Sequence, residues 1–116
     1  MSAFFKSFVF AFRGIGTGFG ERNFRFHLLA FLTVLAAGLY FKIEKYEWLI
    51  ILGISALVLS LELVNTAIER LCDLYSKEQD ERIKRIKDLA AGAVLIAAIL
   101  AAIIGLIIFT PYIQAL

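Results

Sequence analysis

A chain of 116 residues that is 61% hydrophobic, with a mean hydropathy of +0.85, is too apolar for a soluble domain, whose apolar share is about 45–50%, and too short for more than one domain. Its net charge of +2, with basic residues spread among acidic ones, argues against nucleic acid as a partner. The single cysteine, Cys72, excludes an intramolecular disulfide and a thiolate metal site, and reads as a small apolar helix residue.

The chain reads as one all-α membrane domain over residues 1–116, with a surface helix at 1–20 and transmembrane helices at 26–43, 48–70 and 89–110. In the first segment Phe4, Phe5, Phe8, Val9, Phe12 and Ile15 fall on one helical face, with Lys6 and Arg13 off it. Aromatics with sparse basic residues are expected in an amphipathic helix lying in the membrane interface. A signal peptide is not expected, because no basic start leads into an apolar core. Gly14, Gly16, Gly18 and Gly20 follow at every second position. The spacing is not that of a dinucleotide or phosphate loop, so these glycines are read as breaking the surface helix before the chain enters the bilayer.

Glu21, Arg22, Asn23, Arg25 and His27 form a charged collar before the first span. The arginines read as snorkelling cations, and His27 as a polar tip at headgroup level. Glu21 does not fit that explanation. Residues 28–41 are free of charge, and Tyr40, Tyr46 and Trp48 flank the following polar turn as an interfacial belt. Residues 49–61 begin the second span. Its continuation carries Glu62, Asn65, Thr66, Glu69 and Asp73 at i, i+3, i+4, i+7 and i+11, one polar stripe on a helix. Residues 70–88 form a charged connector, expected to be largely helical. Residues 89–109 are an unbroken apolar run rich in small residues, which suits close helix contact, and Pro111 is expected to stop it.

Lys and Arg cluster before the first span and in the connector, with only Lys42 and Lys45 between the first two spans and none after the third. The positive-inside rule then makes the N-terminus and the 71–88 connector cytoplasmic. Three helices enclose a polar stripe poorly, so oligomerisation is expected. A carboxylate at hydrocarbon depth costs roughly 2.5–3.5 kcal/mol, which makes Glu62 a functional candidate. Glu62 and Glu69 stand about 10 Å apart along the helix axis, too far to bind one ion together. Glu69 with Glu21 could hold Mg²⁺ and nucleotide phosphates, while Glu62 takes a proton from a lipid hydroxyl. Lys87 could neutralise phosphate and Asn65 orient the hydroxyl. Spacing alone equally permits a small oligomeric ion or solute transporter using the Glu62–Asn65–Glu69 stripe, or a non-catalytic assembly protein.

Glu62-Leu63-Val64-Asn65-Thr66-Ala67-Ile68-Glu69, then Asp73, then Lys87-Asp88 ahead of Ala93-Val94-Leu95-Ile96, resembles the signature of the bacterial integral-membrane diacylglycerol kinase and undecaprenol kinase family. The resemblance covers nearly the whole chain. It implies a homotrimer in the bacterial inner membrane, with active sites shared between protomers, that passes the γ-phosphate of Mg-ATP to diacylglycerol or undecaprenol and so makes phosphatidic acid or undecaprenyl phosphate. It implies Glu62 as catalytic base, Glu21 and Glu69 as metal-holding and ATP-contacting carboxylates, and Lys87, Asp88, Glu78, Gln79 and Asp80 as nucleotide-contacting positions. Asn65, Asn23, Arg25 and Glu62 itself are implied at the lipid substrate, and Lys6 and Arg13 match basic positions of the surface helix. The connector is more charged than the family's usual pattern and lacks its histidine. The collar around Glu21 looks more like the undecaprenol kinase branch.

Overall fold

A computed structural model describes residues 2–76 and 78–116. Among these residues the chain forms four helices: α1 (Ala3–Gly18), α2 (Arg22–Phe41), α3 (Lys45–Tyr75) and α4 (Glu81–Gln114). The last three are long and apolar enough to cross a membrane. Lys77, one of the connector's charged residues, lies outside the described residues, as does Met1.

α3 packs most extensively against α4, with α2 laid along α3 and the end of α1 touching α3. The result is a slab of 54 × 43 × 20 Å. Antiparallel connectivity gives it two ends. The connector end holds the α1–α2 junction, the last turns of α3 and the start of α4. The hairpin end holds the α2–α3 turn and the end of α4.

The hairpin end carries the densest core. Ile43, Ile51, Ile108 and Phe109 are buried there, with Val34, Phe41, Trp48 and Tyr112 packed around them. α2 stops at Lys42, which takes left-handed backbone angles (φ 54°, ψ 53°) and returns its N–H to Gly38. Gly38 is needed for a second reason. A Cβ there would stand 2.6 and 2.8 Å from the ring carbons of Trp48, so the indole can lie over α2 only where the side chain is missing. Glu47 is buried in the same region. It accepts the backbone N–H of Glu44 at 2.9 Å and the hydroxyl of Tyr112, which ties the last turn of α4 to the first turn of α3.

Two local expectations change, and one holds. Gly14 and Gly16 lie inside α1, which runs to Gly18. The chain turns only at Phe19–Glu21, where the N–H groups of Gly20 and Glu21 bond back to Thr17 and Gly18. Glycine lowers helix propensity by up to about 1 kcal/mol but does not forbid helix, and these glycines keep negative φ. Pro111 does not stop α4, which continues to Gln114. Proline removes one backbone donor, and the final turn is held instead by the Tyr112–Glu47 hydrogen bond. The connector is largely helical, as expected: α3 runs to Tyr75, α4 starts at Glu81, and among the described residues Ser76 and 78–80 lie outside both helices.

The outward surface is strongly apolar: Leu29, Leu89, Leu106 and Ile107 are each at least 65% exposed. A soluble monomer rarely shows a surface of that kind, and it suits a protein whose surroundings are lipid or further apolar helices.

Gly38→Leu should lower stability by about 1–3 kcal/mol, the range for overpacking a filled site. Gly14→Ala, where a Cβ meets nothing within 4 Å, should be neutral or slightly stabilising. Thermal unfolding in detergent checks both, and an unchanged midpoint in Gly38→Leu would refute the close approach of Trp48.

Candidate active site

The polar stripe of α3 faces inward. Glu62 is 3%, Asn65 5% and Thr66 8% exposed, whereas Val64 and Leu71 on the other side of the helix are exposed. Glu69 is half-buried, and Asp73 emerges at the surface. The stripe therefore runs from the interior to the connector end, and its polarity falls with depth to a single carboxylate.

The α1–α2 junction covers this stretch of α3. Gly18 is buried and its missing side chain admits the methyl group of Leu63. Phe24 is buried beside it, its ring edge-on to Phe19 at 5.6 Å. Arg25 donates to the carbonyl of Phe19 at 3.1 Å, which fastens the junction. Asn23 is exposed at the same turn.

This arrangement lays His27 of α2 against Glu62. The imidazole Nε2 stands 3.7 Å from Glu62 Oε2, with the histidine side chain 18% exposed. That is ion-pair range rather than a formed hydrogen bond. His27 is thus turned towards Glu62 on α3. Sequence reasoning missed the pairing because the helical period places residues within one helix and says nothing about how two helices are rotated against each other.

Beyond His27 an apolar groove of about 260 Å³ lies between α2, α3 and α4. Phe26, His27, Val58 and Leu59 line it nearer the connector end, and Val34, Ile51 and Ile104 nearer the hairpin end. His27 is therefore the polar residue at the connector end of an apolar slot, with Glu62 behind it at 3.7 Å.

Glu69 accepts a hydrogen bond from Asn65 Nδ2 at 3.3 Å, while Asn65 Oδ1 is buried with no partner. Glu21, the N-cap residue of α2, pairs with Arg70 at 2.7 Å. Glu21 and Glu69 so approach the same turn of α3 from two elements. Among the described residues no three His, Cys, Asp or Glu side chains gather closely enough to hold a metal ion. The donors at this end are nevertheless oxygens, and Asn65 supplies an unsatisfied one, a set that suits a hard cation such as Mg²⁺.

The connector residues surround a second hollow of about 480 Å³, lined by Asp73, Glu78, Gln79, Asp80, Lys84 and Lys87 among others. Lys87 bonds Asp73 at 2.6 Å, and Lys84 bonds Asp88 at 2.8 Å. Asp80 caps α4 by accepting the N–H of Arg82 at 2.8 Å. Its side-chain hydrogen bond to the same arginine holds its carboxyl below the usual range, so the cap stays charged at neutral pH. Four of the seven nucleotide candidates, Glu78, Gln79, Asp80 and Lys87, line this hollow. Asp88, Glu21 and Glu69 lie outside its lining.

The profile of the family described as prokaryotic diacylglycerol kinase matches residues 9–109. The chain belongs to that family. It is 46% identical to the undecaprenol kinase of Bacillus subtilis (strain 168) over 112 residues, 96% of this chain and 91% of that one. It is 39% identical to the diacylglycerol kinase of a Synechocystis species, over 90% of this chain and 61% of that one. It is 31% identical to the diacylglycerol kinase of Escherichia coli (strain K12), over 72% of this chain and 68% of that one. As a member of this prokaryotic diacylglycerol kinase family the chain is a membrane lipid kinase, and the transporter and assembly readings of the stripe fall away.

Asn65 should matter for this activity and not for the fold. Its buried Oδ1 is unsatisfied, and its amide hydrogen bond is to half-buried Glu69, so losing it costs only about 0.5–1.5 kcal/mol. Asn65→Leu should keep the wild-type unfolding midpoint within a few degrees and lose at least about tenfold in lipid phosphorylation, a loss of about 1.4 kcal/mol in the barrier. A thermal melt beside a phosphorylation assay separates the two effects.

Proposed function

We propose that the chain transfers the γ-phosphate of Mg-ATP to the hydroxyl of a membrane lipid alcohol, with Glu62 as the general base. The observation that carries this reading is the nearly complete burial of Glu62 beside His27, which lines the apolar groove. A carboxylate so placed is costly to keep, and a hydroxyl carried on a hydrocarbon body is the kind that reaches such a depth. Undecaprenol is the favoured acceptor, because among the relatives named above the undecaprenol kinase has the higher identity and is covered over nearly its whole length. Diacylglycerol is the second.

In this reading the lipid chain rests against the groove, and Asn65, Asn23 and Arg25 help to place the headgroup. Glu62 takes the hydroxyl proton as the oxygen attacks the γ-phosphorus, and the bond to the β-phosphate oxygen breaks with its electron pair leaving on ADP. Phosphoryl transfer asks mainly for positioning and charge neutralisation, so a sparse set of residues suffices. Glu21 and Glu69 would hold Mg²⁺, which when bound offsets the negative charge of the phosphates. Lys87 and Asp88, with Glu78 and Asp80 of the connector, would contact the nucleotide. The connector hollow supports a role for a cation: its lining carries Asp73, Glu78, Asp80 and Glu81 against Lys84 and Lys87, and both lysines are already paired with aspartates. A polyanion needs further positive charge to settle there.

The Lys/Arg distribution supports a topology with the N-terminus and the 71–88 connector on the cytoplasmic side of the bacterial inner membrane, where ATP is. α1, with Phe4, Phe5, Phe8 and Phe12 exposed, fits an amphipathic helix lying in the interface. The exposed apolar helix faces and the dispersal of the acidic residues within one protomer support a homotrimer with active sites completed by a neighbour.

The test is a transfer assay with purified protein in lipid vesicles, radiolabelled Mg-ATP, and undecaprenol and diacylglycerol in parallel. Label should enter undecaprenol with the higher kcat/KM. Glu62→Gln should lower kcat at least about 100-fold, the usual scale for losing a general base, with ATP binding and oligomeric size retained; near-normal turnover would sink the base assignment. Glu69→Ala and Glu21→Ala should each raise the Mg²⁺ concentration needed for half-maximal rate. An unchanged metal dependence in both would remove them from the metal site.

A further inference from the structure

Each turnover through Glu62 leaves a proton on a carboxylate that is 3% exposed, and the next hydroxyl cannot be deprotonated until that proton has gone. The immediate surroundings on α3 give it no exit. Val58 and Leu63 are apolar, Asn65 and Thr66 do not titrate, and Glu69 lies about 10 Å further along the axis. Among the described residues, the one imidazole or cationic group within 4 Å of the Glu62 carboxylate is His27, at 3.7 Å. It comes from the neighbouring helix, its side chain is 18% exposed against 4% for that of Glu62, and it sits in the second turn of α2. One turn nearer the connector end, at i−4 on the same face, is Asn23, which is exposed. His27 thus bridges the buried carboxylate and the solvated collar.

We propose that His27 is the positioning and proton-accepting partner of Glu62, carrying the proton of the lipid hydroxyl from the buried carboxylate to the collar. The inference rests on Glu62 being the base. The steps balance. The lipid O–H bond breaks and its proton goes to Glu62, the lipid oxygen bonds the γ-phosphorus, and ADP leaves with the electron pair of the broken P–O bond. The proton then passes from Glu62 to the free lone pair of His27 Nε2, and the imidazolium releases a proton to water at the collar. Histidine suits the task because an imidazole can take a proton at one ring nitrogen and release one from the other. The role requires the neutral tautomer with its proton on Nδ1, leaving Nε2 free to accept. The 3.7 Å separation closes to hydrogen-bond length with a side-chain adjustment of under about 1 Å, as often happens when a site fills. His27 also lines the groove beside Ala30 and Val58, so an occupied groove bears directly on the imidazole.

A relay and a mere tether make different predictions. Glutamine keeps a hydrogen-bond donor for Glu62 and cannot take a proton; alanine removes both functions and leaves a hole the shape of the missing ring. His27→Gln and His27→Ala should both lower kcat at least about tenfold, with KM for Mg-ATP and for lipid within about twofold of wild type. Added imidazole should restore turnover in His27→Ala in a concentration-dependent way and leave Glu62→Gln unrescued. His27→Gln with wild-type kcat would reduce His27 to a tether and overturn the relay. So would a loss confined to KM, or an absence of imidazole rescue in a His27→Ala protein with normal thermal midpoint and oligomeric size. If His27→Ala does not fold, the kcat of His27→Gln decides alone. A wild-type protein that labels neither lipid overturns the base assignment and the relay with it, whereas an active wild type beside a fully active His27→Gln overturns the relay only.

Discussion

The arrangement depends on one inversion. α3 turns its polar residues in and its apolar residues out, so that Glu62, Asn65 and Thr66 are buried while Val64 and Leu71 are exposed. In water this would be unstable, because exposed leucine and valine gain nothing and buried carboxylate costs several kcal/mol. In a bilayer the apolar side is satisfied by lipid or by another helix, and the polar side must be shielded by the protein itself. Everything packed on α3 near the connector end serves that shielding.

The covering is economical. Gly18 lets α1 come close to Leu63, Phe24 fills the space beside it, and α2 then leaves the junction with His27 directed at Glu62. At the opposite end the helices are fixed by a different device, with Trp48 lying over Gly38 and Tyr112 bonded to the buried Glu47. Between a tight hairpin end and a covered connector end, the middle of the slab keeps an apolar groove. A helical hairpin packed equally tightly along its whole length would have no room for a hydrocarbon chain beside the carboxylate. On the proposed reading, this division of labour along α2 and α3 leaves room for a hydrocarbon chain beside His27 and, behind it, Glu62.

Much of this was legible in the sequence, and the limits have physical causes. Three apolar runs in a chain this hydrophobic leave helices as the only spanning structure, and three of the four helices found are long and apolar enough to span. The stripe from Glu62 to Asp73 was legible because a period of 3.6 places those residues on one face whatever packs against it. What the period cannot report is rotation and depth between two helices, so His27 facing Glu62 and Tyr112 meeting Glu47 were not anticipated. Their only signals were a titratable residue in the second turn of a span and an acid beside a belt of aromatics. The glycines of α1 and Pro111 misled for a related reason. Local propensity argues for a break of about 1–3 kcal/mol at such residues, but helix ends are set by tertiary contacts, here those of Gly18 and Tyr112.

The scatter of carboxylates in one protomer follows from the same economy. Glu62 sits deep, Glu69 is one step of the stripe nearer the surface, Glu21 is drawn to Arg70, and Asp73 and Asp88 are each paired with a lysine. Keeping acids apart limits the repulsion that a preformed cluster would suffer without a cation. It also means that a polyphosphate with its counter-ion, or a neighbouring protomer, has to draw these groups together before they act as one site. Glu62 is different in kind, because its partner is already in place on α2. On the proposed reading, the proton-handling half of the site is built into the fold of a single chain, while the charge-handling half assembles around the nucleotide.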